Sequence, residues 1–138
     1  MPGAETRRGG QREIAQVMRG ASEVLRADIT VQEAFDQSLG MKFQAWPVTD
    51  ERGVTGVIGV AQLREAMENG GATKKIGDIV DALHFLHVHA DQPLHLALER
   101  MGAANVNILP VVSRANIHDL LGIVILADVL DSYGVQRR

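Results

Sequence analysis

The chain has 138 residues, 46% of them hydrophobic, enough for one compact domain or two very small ones and too apolar for global disorder. A formal net charge of −3 supplies no field to attract nucleic acid, so the basic pairs Arg7-Arg8 and Arg137-Arg138 read as solvated ends. The absence of cysteine excludes a disulfide scaffold, a thiolate zinc site and a cysteine nucleophile, and the apolar runs fall well below the ~20 residues of a membrane span.

No charged start followed by an apolar stretch marks a signal peptide, so a cytoplasmic protein, or a cytoplasmic piece of one, is expected. Residues 1–13 are Gly- and Arg-rich and read as a flexible leader or interdomain linker. Ile14, Val17 and Met18 pattern a short turn of helix. After a short strand at Glu23–Leu25, Thr30-x-x-Glu33 is a capping-box signal, opening a helix with apolar positions Val31, Ala34, Phe35 and Leu39. Strands are expected at Ala45–Thr49 and Val54–Val60, then a helix from Ala61 carrying Leu63, Ala66 and Met67. A loop over Glu68–Lys75 leads to a short connecting turn at Ile76–Val80.

The same grammar then returns. A short strand at Leu86–Val88 precedes a helix opened by Asp91 and Pro93, with Leu94, Ala97, Leu98 and Met101 at i, i+3, i+4 and i+7. Strands at Asn107–Val112 and Leu120–Leu126 follow, then a helix from Ala127 with Val129 and Leu130. Asp28 and Asp91, Ala34 and Ala97, and Pro47 and Pro110 are each 63 apart, whereas Gly56 and Gly122 are 66 apart. The three extra residues fall between Ser113 and Asp119, in what reads as a hairpin turn that tolerates length change. The reading is an α/β (α+β) chain of two tandem repeats, 14–70 and 71–138. Neither half can bury its apolar faces alone, so the two are expected to pack through their sheets about a pseudo-twofold axis.

These residues carry a resemblance. Leu109-Pro110-Val111-Val112, the run Gly122-Ile123-Val124-Ile125-Leu126-Ala127-Asp128-Val129, and the first-copy counterparts Trp46-Pro47-Val48 and Gly56 to Leu63 resemble a CBS-domain pair, the Bateman module. The likeness covers roughly residues 14–135. Within it, Ala97 to Val135 is similar to the cytoplasmic tail of bacterial chloride channel/antiporter proteins.

The resemblance implies a sensor that binds adenosine-containing ligands (AMP, ADP, ATP, S-adenosylmethionine) in clefts between the repeats. It implies that an acidic residue closing a Gly-x-x-(Thr/Ser)-x-x-Asp run takes the ribose hydroxyls, a Thr or Ser hydroxyl helps hold phosphate, and the N–H groups of the following helix favour an anion. The ligand-binding candidates are therefore Asp128, Ile125 and Leu109 in the second copy and Gln62 and Gly59 in the first. The sequence departs from the pattern: the hydroxyl position is Ile125 in one copy and Gly59 in the other, and Gln62 stands where an acid is expected. At most one degenerate site survives, on Asp128, where helix-dipole stabilisation is an equal alternative.

His84, His87 and His89 crowd together, and a His-x-His pair on a strand faces one way. The motif suits a metal or a pH response, but surface or strand-edge histidines account for it better. The Gly53–Gly59 run lacks phosphate-loop spacing and reads as turn and packing glycines. Trp46 is read as core, with stacking on a base in the cleft as the alternative. No nucleophile–base pair or carboxylate pair recurs at matched positions, so no enzyme is expected.

The sequence thus leads to a regulatory and dimerisation module of a chloride channel-type transport protein, with homodimerisation and a membrane transport domain of the same parent chain as partners. No cofactor is required, AMP, ADP or ATP are candidate ligands, and nucleic acid and direct membrane insertion are excluded. A free-standing nucleotide sensor acting on a soluble partner is the alternative, and a metal- or pH-responsive protein a third.

Overall fold

The computed structural model describes residues 12–80 and 85–134, so His84 and residues 1–11 of the expected leader lie outside the described residues. The chain is a mixed α+β protein of two compact units. One comprises the described residues of Ala21–Leu86 and Ile117–Asp119, and the other those of Met1–Gly20, His87–Asn116 and Leu120–Arg138.

In the first-copy unit, β1 (Leu25–Arg26) lies parallel to β2 (Ala45–Asp50), which pairs antiparallel with β3 (Gly53–Gly59). Between β1 and β2 runs α1 (Val31–Ser38), and α2 (Val60–Glu68) follows β3. The capping box at α1 is formed as expected: Glu33 N–H donates to Thr30 Oγ1 at 3.1 Å, and Thr30 N–H donates to Glu33 Oε1 at 2.9 Å. Val31 and Ala34 are buried, but Leu39 is 74% exposed. The helix stops at Ser38, so Leu39 leaves the apolar stripe that its spacing had placed it on. Leu25, Val31, Ala34, Trp46, Val48, Ile58, Leu63 and Ile76 form the core. Ile76 arrives on a single 3-10 turn (Ile76–Asp78) whose N–H groups at 76 and 77 bond the carbonyls of Ile29 and Ala27.

The three inserted residues of the second hairpin do not form a free turn. His118 accepts the Val54 N–H on its carbonyl at 2.8 Å, and His118 Nδ1 lies 2.8 Å from the Val54 carbonyl. Gly53 makes this approach feasible. Its φ is +120°, and a Cβ there would lie 1.9 Å from the His118 carbonyl oxygen.

The second-copy unit contains α3 (Leu94–Ala104), β4 (Ile108–Val112), β5 (Leu120–Ile125) and α4 (Leu126–Ser132). Asn105 ends α3 in the left-handed conformation at φ 54°, a conformation that asparagine tolerates. Leu94, Ala97 and Met101 are buried as the spacing predicts, while Leu98 is only half-buried. Every residue of β4 is buried, and β4 pairs antiparallel with β5, Leu109 opposite Val124. Val88 bridges to Val111 on the far side of β4, and Arg19 bridges to Ile123 on the far side of β5.

Residues 12–20 therefore precede the first copy in sequence but pack with the second. Ile14, fully buried, opens a 3-10 turn (Ile14–Gln16) and donates its N–H to the Gln92 carbonyl, just as Ile76 opens its own turn in the first-copy unit. Arg12 and Glu13, the end of the expected leader, are held there too. The Arg12 carbonyl accepts the Leu94 N–H at 2.6 Å, and Glu13 bridges to Pro93. Among the described residues no helix is long and apolar enough to cross a membrane.

Candidate functional site

The site grows from the junction of β5 and α4. Gly122 lets the incoming segment lie close against β5, since a Cβ there would stand 2.5 Å from the Arg19 carbonyl oxygen. Arg19 then pairs with Ile123 through both backbone groups, N–H to carbonyl at 2.9 Å and carbonyl to N–H at 2.8 Å. Asp128 sits in the first turn of α4, three residues beyond the extended Ile125. From its fixed backbone the Arg19 side chain meets the Asp128 carboxylate side-on. Nε lies 2.9 Å from Oδ2, and Nη2 lies 2.9 Å from Oδ1 and 2.7 Å from Oδ2. The two side chains are 44% and 23% exposed, so the pair is reachable from solvent.

Of the other candidates in this unit, Ile125 is half-buried and caps α4 with no hydroxyl to offer. Leu109 is 1% exposed and serves packing. In the first-copy unit, Gly59 is the cap of α2, and Gln62 Oε1 accepts the Gly59 N–H at 2.8 Å. Gln62 is thus committed to capping its own helix, the task that a free acidic side chain would leave undone. The structure joins Asp128 and Ile125 in one unit and Gln62 and Gly59 in the other.

Two functional-looking residues escape a sequence reading. Arg19 is 109 positions from Asp128 and carries no local signal. Glu23 accepts the N–H groups of Lys42 (2.7 Å) and Phe43 (3.1 Å) and the Trp46 indole N–H (3.2 Å). Desolvation opposes ionisation of Glu23, but these donors together outweigh it and hold the carboxyl below its usual range. Trp46 itself is 1% exposed, in the core as read, with its one polar atom tied to Glu23.

The His87 and His89 rings meet edge to face with centroids 5.1 Å apart, and His89 Nδ1 lies 2.9 Å from the Val112 carbonyl oxygen. Among the described residues no group of three or more His, Asp or Glu side chains could hold a metal ion. An open cleft of about 560 Å³ lies in the first-copy unit between Arg26, Asp28, Thr49, Asp50, Lys75 and Asp78. Its charges largely answer one another: Arg26 pairs with Asp28 at 2.6 Å, and Asp50 accepts from the Arg52 backbone N–H at 2.8 Å. The Arg52 N–H holds the Asp50 carboxyl below its usual range, with desolvation opposing.

With this geometry in hand, comparison with known proteins is informative. The family model described as CBS domain matches residues 14–69 and 76–134. A Mycobacterium tuberculosis protein that carries the name zinc metalloprotease Rip3, from strains Erdman and H37Rv, is 33% identical over 101 residues, 72% of this chain and 25% of the relative. The chain thus spans about a quarter of the length of the curated relatives it matches. Among solved structures, the CBS domain pair of protein MJ0100 in complex with 5′-methylthioadenosine and S-adenosyl-L-methionine superposes with a TM-score of 0.73 at 21% identity, covering 89% of this chain and 100% of that one. The cytosolic domain of the Mg2+ channel MgtE in complex with ATP gives 0.70 at 24% identity, covering 88% and 48%.

Proposed function

The chain belongs to the CBS-domain family as a tandem pair, and from that membership we propose a regulatory module with one adenine-nucleotide site, centred on Asp128. The observation that carries this reading is the asymmetry of the two helix starts. Asp128 presents a carboxylate that solvent reaches, whereas Gln62 is spent on its own cap. A carboxylate accepts the two neighbouring hydroxyls of a ribose side by side, and the glutamine here has no acceptor to spare for them. The MJ0100 pair and the MgtE domain, each described with an adenosine-containing ligand, support the same ligand class.

The module performs no chemistry of its own. It works as a homodimer on the cytoplasmic side and biases a larger host between two arrangements, by the difference in ligand affinity between them. A transport host follows from the chloride-channel likeness and from the channel domain among its structural neighbours. The 33% identity to a metalloprotease four times as long favours a second host, a protease chain. Fusion to each host type, with transport or proteolysis read against nucleotide concentration, separates the two.

The direct test is thermal melting with AMP, ADP, ATP and S-adenosylmethionine, on the natural chain and on Asp128→Ala. A ligand at about 100 times its dissociation constant adds ~2.7 kcal/mol, a shift of several degrees. The expected result is a shift with at least one of them that the substitution abolishes. No shift with any, or one that survives Asp128→Ala, overturns the site.

A further inference from the structure

Asp128 is not a bare carboxylate, and its partner has a free end. Arg19 meets it with the Nε and Nη2 side of the guanidinium. The fork of Arg19 is planar and carries five N–H groups, so pairing on that side leaves the Nη1 end, with the second N–H of Nη2, facing away from Asp128. Each carboxylate oxygen in turn keeps acceptor capacity after one or two charged contacts. The backbone of Arg19 is fixed on β5 through both of its polar groups, so the side chain is aimed rather than merely tethered. The result is a neutral couple, half exposed, that offers acceptors for hydroxyls and a forked donor for an anion a few ångströms apart.

We propose that Arg19 is the anion receptor of this site, taking the phosphate of a nucleotide while Asp128 takes the ribose hydroxyls with the ion pair intact. This rests on the nucleotide reading above. It supplies what Ile125 cannot, since an isobutyl-like side chain in place of a hydroxyl gives a phosphate no donor. It also fixes the ligand class: a nucleoside monophosphate or longer, in preference to the bare nucleoside.

The experiment is isothermal calorimetry with AMP and with adenosine on the natural chain, Arg19→Gln and Arg19→Lys, each checked for an unchanged melting temperature. Losing a charge-assisted bidentate contact lowers AMP affinity about tenfold to a hundredfold in Arg19→Gln, while adenosine affinity stays within about threefold. Arg19→Lys, which keeps the charge without the fork, falls between. AMP affinity of the natural chain falls with added salt, and that dependence weakens in Arg19→Gln. A preference for AMP over adenosine that persists in Arg19→Gln overturns this inference alone. So does tighter binding of either ligand by that variant, because Arg19 then competes for Asp128 instead of assisting it. If neither the natural chain nor Arg19→Gln binds any adenine compound, the underlying nucleotide reading falls, and this inference with it.

Discussion

Glu23 shows how much one side chain settles. The segment before β2 brings the N–H groups of Lys42 and Phe43 to a place with no strand beside it, and an ionised carboxylate satisfies both at once along with the Trp46 indole. Because the folded carboxyl is held below its ordinary 4.5, its contribution is present above that value and is lost as pH falls through the lower folded value. Acid unfolding of Glu23→Gln is therefore expected to be less steep below about pH 4.5, with stability at neutral pH lower by about 1 kcal/mol after allowance for its solvent contact. Parallel urea titrations at pH 7 and pH 4 check both. The Arg19–Asp128 pair is a different case. It is exposed enough that Asp128→Ala costs under about 1 kcal/mol of stability. Calorimetric melting without ligand verifies this, and a small cost makes any loss of nucleotide response in that variant a loss of binding rather than of fold.

At the level of the element, α1 is the clearest case of local encoding. Thr30→Ala removes the acceptor for the Glu33 N–H, and the expected cost is about 0.5–2 kcal/mol in a denaturant titration, with the helix start fraying in amide exchange. The β2–β3 hairpin is instead held by a residue far away in sequence. Gly53→Ala has to move both its positive φ and the His118 carbonyl that would sit 1.9 Å from the new Cβ. The expected cost is about 1–3 kcal/mol. Shortening the second hairpin to the length of the first removes the His118 contacts with Val54 and is expected to destabilise the first-copy unit. Exchange protection of the Val54 amide reports the change, and unchanged protection would mean that the insertion is a passive loop.

For the whole molecule, the compact units cut across the order of the repeats. Ile14 is fully buried and Arg19 completes the ladder on β5, so the second-copy unit is unfinished without residues 12–20. A fragment of residues 71–138 is accordingly expected to lack cooperative unfolding by circular dichroism. Joining residues 12–20 to it through a flexible linker should restore the transition. Cooperative melting of the bare fragment would show that the segment is an accessory and not a member of the core.

What the sequence determined by itself is what nearby residues encode. The capping box at Thr30 and Glu33, the apolar spacing of Leu94, Ala97 and Met101, the paired strands and their recurrence 63 residues on depend on periodicity and caps within a few positions. Asp128 was legible for the same reason, as the acid that closes a short run after a strand. Tertiary structure decided the rest. The Arg19 partner of Asp128, the donors around Glu23, the His118 contact with Gly53 and Val54, and the second-copy home of Ile14 all depend on backbones that meet across 20 to 109 positions. Nothing in a local pattern specifies such meetings, because they are fixed only when strands pair and the core closes around them.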